Sequence, residues 1–168
     1  NQDLKLAGFD FLSLANNHIG DFGPECVSKT EAALDAVNIG WSGRPGTFAT
    51  QIVNGFRIAF IAFHSGGNCN SSLKPDLAAE MIANLKLDHD LVLVSLHGGA
   101  EGLAAISLPD SNEYYLGEPR GHLKKITHRM IDAGADAVVG SHPHVTQNTE
   151  FYKGRPIVYS LGNFVFHG

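Results

Sequence analysis

Cysteine is scarce in this chain: there are two, Cys26 and Cys69, without a CxxC spacing. That excludes a zinc knuckle and leaves the pair as either one disulfide or two free thiols. No apolar run is long enough to span a bilayer, so the residues read as a soluble domain. Positive charge is not in excess either. The net charge of −5 argues against a broad nucleic-acid footprint, and the local cluster Lys124, Lys125 and Arg129 reads as a solvated helix face. A basic-then-apolar leader is missing, as is an initiator Met. Asn1 to Gly8 leads almost at once into an apolar stretch, so the chain is expected to be cut from a longer one, truncated at its first strand or strands. Internal repeats, low-complexity segments and linkers are also lacking, and residues 1–168 are expected to form a single domain.

What is present is ordinary globular composition, 43% hydrophobic and 17% charged, with 19 glycines that fall mostly at the ends of apolar segments. Phe9 to Ala15 reads as a buried strand, and Gly23-Pro24 opens a helix whose apolar face ends near Gly40. After a loop from Trp41 to Thr47, Phe48–Val53 and Phe56–Phe63 flank Asn54-Gly55, a strong hairpin signal. Ser65 to Ser72 reads as a polar loop, Pro75 to Leu85 as a second helix, and Leu91 to Leu96 as a strand covered on both faces. Residues 98–118 form a long connection, of the kind that is usually functional. A third helix is expected from Arg120 to Ala133, a strand from Ala135 to Val139, and a last hairpin from Thr149–Tyr152 and Pro156–Leu161 around Lys153-Gly154. The alternation of strands and helices predicts an α/β fold.

Three apolar strands each end in a polar cluster able to bind metal: Asn16-Asn17-His18, His97-Gly98-Gly99 and His142-Pro143-His144. In open α/β sheets, ligands bind beyond the carboxyl ends of strands, so these clusters are expected to converge. Pro143 is expected to hold His142 in extended backbone, which would turn His142 and His144 to one side. His64, His89, His122, His128 and His167 lack such company and read as packing or surface histidines. Imidazole nitrogens with an Asn oxygen suit borderline divalent ions such as Zn, Mn, Fe or Ni, without selecting one. Such an ion would polarise a phosphoryl or carbonyl oxygen, and a histidine left off the metal, with His18 the candidate, could act as general acid.

Four stretches in order, LANNHIGD (Leu14 to Asp21), VSLHGGAEG (Val94 to Gly102), IDAGADAVVGSHPHV (Ile131 to Val145) and EFYKGRPIVYSLGNF (Glu150 to Phe164), resemble the CapA family of poly-gamma-glutamate capsule synthesis proteins. That family belongs to the calcineurin-like metallophosphoesterase superfamily. The resemblance implies a calcineurin-like sandwich of mixed sheets flanked by helices and a site for two divalent ions in the intact protein. Asn17, His97 and His142 would share one ion and His144 would serve the other. His18 would be the proton donor or transition-state stabiliser, with Asp21 and Glu101 orienting it or a neighbouring imidazole. The superfamily places an acidic residue directly after the His of its Asn-His pair. Ile19 stands there in this chain, so Asp21 would have to take that part. The superfamily's early acidic motifs would lie before Asn1.

Two classes of function follow from the resemblance. The first is a metal-dependent hydrolase or transferase acting on a phosphoester or on an amide such as the polyanionic poly-gamma-glutamate chain, with residues 98–118 and Arg120 shaping its pocket. The second is a non-catalytic component of a capsule assembly or export machine, with membrane proteins as partners and a structural or vestigial metal site. Both imply an extracytoplasmic setting with a membrane anchor outside these residues.

Overall fold

A computed structural model of the chain describes residues 2–164, and His167 lies outside the described residues. The organising element is a six-stranded mixed sheet in the order β3-β4-β5-β8-β10-β9. Its members are β3 (Ala49–Val53), β4 (Phe56–His64), β5 (Leu91–His97), β8 (Ala137–Ser141), β9 (Thr149–Tyr152) and β10 (Arg155–Val158). The four inner strands β4, β5, β8 and β10 run parallel, while β3 and β9 close the edges antiparallel. Both edge hairpins turn on two residues at positive φ, Asn54-Gly55 (53° and 85°) and Lys153-Gly154 (50° and 75°). This is the backbone that matches the right-handed strand twist. The fold is thus α/β, a mixed sheet flanked by helices.

Along β5 the residues alternate, with Val92, Val94 and Leu96 buried on one face. On that face they meet Ala59, Ile61 and Phe63 of β4, Val138 and Ile157, and the helices α3 (Pro75–Lys86) and α4 (Leu123–Asp132). The opposite face carries His64, His97 and Ser141, which lie side by side in register at the carboxyl ends of three neighbouring strands. The topology therefore aligns these three residues before any side-chain chemistry is considered.

A second layer covers part of that opposite face. β1 (Phe11–Ser13) pairs parallel with β2 (Gly40–Ser42), with α2 (Gly23–Asp35) between them in sequence. Phe11 stacks on Phe60 with ring centroids 5.1 Å apart, and Ala15 and Cys69 close over Ala62. Polar clamps hold the layer in place. Buried Ser42 Oγ accepts the Ala62 N–H at 2.9 Å and donates to the Thr47 carbonyl at 2.7 Å. Asn70 donates to the Thr47 and Ala62 carbonyls and accepts the Gly46 N–H. Backbone groups of β4 beyond the reach of β3 are satisfied in this way, as burial requires. Both cysteines are free thiols, Cys26 exposed and Cys69 buried.

Several elements depart from the sequence-based expectation. A short helix, α1 (Gln2–Leu6), precedes β1, which is limited to Phe11–Ser13 rather than extending from Phe9 to Ala15. The expected loop after Gly40 begins as strand β2, whose three residues are too few for a periodic signal. Within the connection 98–118 lie a 3-10 turn at Leu103–Ala105 and the start of a hairpin, β6 (Glu113–Tyr115) with β7 (Glu118–Gly121). Its turn, Leu116-Gly117, has φ of 50° and 80°. Leucine seldom adopts that backbone, so nothing in the sequence announces the turn. Arg120, expected to begin a helix, lies instead in β7. Gly121 at φ 83° then redirects the chain into α4, which starts at Leu123. The central strand runs Ala137–Ser141 instead of Ala135–Val139, and β10 is shorter than Pro156–Leu161.

Gly140 fixes the end of the central strand. A Cβ there would collide with the Tyr159 carbonyl oxygen, a backbone atom that cannot move aside. Overpacking of this kind costs about 3 kcal/mol or more. Gly140→Ala is therefore expected to lower the Tm by about 6–12 °C in thermal denaturation, whereas an unchanged Tm would contradict this packing.

Candidate metal centre

The site begins where the strands end. β5 delivers His97, and its Nε2 lies 2.8 Å from the Oδ1 of Asn17, which follows β1. Asn17 Nδ2 lies 3.2 Å from His18 Nε2, and His18 Nδ1 lies 2.8 Å from Asp21 Oδ2. Donor and acceptor roles assign consistently along the chain: His97 donates to the Asn17 oxygen, the Asn17 amide donates to His18, and His18 donates to the Asp21 carboxylate. Asn16 Oδ1 accepts the His18 N–H at 2.9 Å and shapes the turn that presents both residues. The His18 side chain is 74% exposed, so it faces solvent while Asn17 faces the imidazoles.

Beyond Ser141 the backbone is not extended. His142 has φ 109° and His144 has φ 59°. The expectation that Pro143 keeps His142 extended is therefore corrected: a left-handed kink, not strand alternation, aims these two rings. Such backbone costs on the order of 1–3 kcal/mol per residue and tends to collect at functional sites. The kink places the His142 ring 4.6 Å from that of His97 and 6.3 Å from that of His144, centroid to centroid. His142 is buried, and its Nε2 has no hydrogen-bond partner; Glu101 Oε1 approaches to 3.3 Å outside hydrogen-bonding geometry. His144 is exposed and its Nδ1 meets Asn163 Oδ1 at 2.8 Å. Glu113 accepts the Ala100 N–H at 3.0 Å and so fixes the loop that carries Glu101.

One member of the cluster was not anticipated. His64 ends β4, is buried, and packs edge-on to His97 at 5.3 Å, with its Nδ1 2.9 Å from the His97 carbonyl. The sequence pattern assigns it to packing, yet the signal that marks His97 applies equally to it: an apolar strand ending in histidine. His89 and His128 lie elsewhere. His89 is buried and held by Thr50 and the Leu85 carbonyl, and His128 stacks on Tyr152 and meets Glu150.

Burial, more than any neighbour, lowers the proton affinity of these rings. His97 is pushed from 6.5 to about 3, with His142 the next contributor. His142 is pushed to about 4, with the Arg120 charge next, and His64 is lowered in the same direction. The rings are thus neutral at pH 7, the form that ligates metal. Because unfolded histidine titrates near 6.5, the unfolded chain takes up protons between about pH 6.5 and 4 that the folded chain cannot hold. Stability of the metal-free protein should therefore fall as pH drops through that window and be insensitive to these rings above it. Thermal scans from pH 7.5 to 4.5 should show a shallower dependence for His142→Gln than for the parent; equal slopes would contradict the assignment.

Among the described residues, no three His, Cys, Asp or Glu side chains form a ready metal-binding group. The candidate donors are Asn17 Oδ1 and His97 Nε2, which contact each other at 2.8 Å, and the His142 ring, which packs beside His97 with its Nε2 unpartnered. Neutral imidazoles and an amide oxygen fit one borderline divalent ion as a partial set of ligands. His144, more exposed, stands to the side of that set.

The profile described as "Bacterial capsule synthesis protein PGA_cap" matches residues 1–168. The chain is 34% identical over 183 residues to the capsule biosynthesis protein CapA of Bacillus anthracis, covering 97% of this chain and 41% of that protein. It is 33% identical over 180 residues to the PGA biosynthesis protein CapA of Bacillus subtilis (strain 168), covering 97% and 44%. A probable polyglutamine synthesis accessory protein of Mycobacterium tuberculosis is 30% identical over 181 residues, covering 91% of this chain and 44% of that protein. The chain thus spans less than half the length of these curated relatives.

Proposed function

The chain belongs to the bacterial capsule synthesis protein family PGA_cap, of which the CapA proteins are relatives, and from that premise we propose that the protein it represents is a divalent-metal-dependent hydrolase or transferase of capsule polymer biosynthesis. The observation that carries the proposal is the unpartnered, buried Nε2 of neutral His142 beside His97 and the Asn17 oxygen. An orphaned buried nitrogen is costly unless something binds it. Asn17, His97 and His142 would hold the cation, with His144 available to a neighbouring one. A cation bound there supplies Lewis acidity toward a phosphoryl or carbonyl oxygen.

The remaining steps fall to the chain's own residues. His18 holds its Nδ1 proton on Asp21, which fixes the tautomer and keeps Nε2 turned toward the Asn17 edge of the site. Protonated at Nε2, the same ring can deliver a proton to a leaving oxygen or nitrogen. Glu113 positions the loop that carries Glu101, whose carboxylate stands 3.3 Å from His142 Nε2 at the edge of the site. The substrate class is a phosphoester or a gamma-glutamyl polyanion, in an extracytoplasmic, membrane-anchored setting. Among the described residues no helix is long and apolar enough to cross a membrane, so an anchor would lie in another part of the protein.

A second reading, a non-catalytic component of a capsule assembly or export complex, is favoured by the incomplete donor set. Turnover assays on aryl phosphoesters and gamma-glutamyl amides, with the full-length protein loaded with Zn or Mn, separate the two. Metal-dependent turnover supports the hydrolase reading, and metal bound without turnover supports the assembly reading.

A further inference from the structure

Arg120 is the only Lys or Arg in the buried set among the described residues, at 3% exposure. It shares a face of β7 with Glu118 two residues away, just after the Leu116-Gly117 turn. Its Nη2 meets Glu118 Oε2 at 3.0 Å and its Nη1 meets Ser65 Oγ at 3.4 Å, while its Nε is buried with no partner. Ser65 directly follows His64, and the Arg120 charge acts on His64, His97 and His142 alike. A buried guanidinium with an orphaned donor is poorly compensated by one counter-ion, and the Glu118 side chain is 67% exposed and free to swing into solvent. A guanidinium presents a planar fork suited to carboxylate or phosphate oxygens.

We propose that Arg120 is an oxyanion-binding residue beside the imidazole cluster, that the Glu118 carboxylate occupies its fork in the resting chain, and that a phosphoryl or carboxylate group of a ligand displaces Glu118. The ligand class is an oxyanion, and phosphoester and polycarboxylate substrates both carry one. This deepens the reading of the site as one for anionic substrates, and rests on it only for the link to turnover.

The test uses metal-stripped protein, so that it does not depend on the cation. Calorimetric titrations with inorganic phosphate and, separately, glutarate are run on the parent, Glu118→Gln, Arg120→Lys and Arg120→Gln. Removing an exposed counter-ion should tighten binding about two- to fivefold in Glu118→Gln. Arg120→Lys, which keeps charge but loses the fork, should weaken it about tenfold, and Arg120→Gln should abolish it. Binding of phosphate alone, glutarate alone or both supports the proposal and identifies the source of the oxyanion. No binding by either the parent or Glu118→Gln overturns it, as does an affinity indifferent to Glu118→Gln and Arg120→Lys, variants that keep the surface or the charge intact. Metal content measured in parallel keeps the two readings apart. Anion binding without any metal affinity would remove the metal centre and leave this proposal standing.

Discussion

Replacing His18 with alanine in the metal-loaded, full-length protein is expected to lower turnover by about 10²–10⁴-fold, the usual contribution of a general acid, while metal content stays at the parent level. The expectation rests on how the Asn17-His18 turn divides its labour. Asn17 turns its oxygen to His97, while His18 is exposed, tied to Asp21 at 2.8 Å through Nδ1 and set with Nε2 3.2 Å from the Asn17 amide. A side chain so placed contributes little to holding an ion but can meet a substrate arriving from solvent. Asp21→Asn should give a smaller loss, because the amide can still accept the Nδ1 proton while offering less charge to the imidazolium. Turnover unchanged in His18→Ala would remove its role as proton donor. Metal lost together with activity would make it a ligand instead.

His142→Ala is expected to reduce divalent-cation affinity by on the order of 100-fold or more, beyond the 10–100-fold typical of groups that merely support a ligand. His142 is buried, neutral and unpartnered at Nε2, so its removal deletes one of the three donors of the set. The substitution also relieves little strain, since alanine at φ 109° is no better accommodated than histidine. His142→Asn, which tolerates positive φ better, serves as the folding control, and it too should bind metal weakly. An affinity within threefold of the parent in both variants would mean that the orphaned nitrogen does not face the ion.

Much of the frame was legible in the sequence because it rests on strong local signals. Asn54-Gly55 and Lys153-Gly154 formed their hairpins, and Gly23-Pro24 and Pro75 open helices where expected. LVLVSL became β5, flanked on both sides by parallel partners. That His97 and His142 come to adjacent strand ends follows from the same logic. What stayed hidden depends on tertiary context. The β1–β2 pair has three residues per strand, and Ser42 and Asn70 give it stability through polar clamps that no periodicity reveals. The β6–β7 hairpin turns on a leucine at positive φ, a choice against local preference. The left-handed backbone at His142 likewise runs against the preference imposed by the following proline. His64 lacks the neighbouring polar cluster that marks the other strand ends, and only the sheet register sets it beside His97.

The most direct test of the account is elemental analysis of the purified full-length protein after loading with Zn or Mn and dialysis, with His97→Ala and His142→Ala measured alongside. The account predicts at least one tightly held equivalent in the parent and its loss in both variants, with the fold retained by circular dichroism. A parent that holds no metal above background, or variants that keep all of it, would contradict the central claim that Asn17, His97 and His142 form a divalent-cation site.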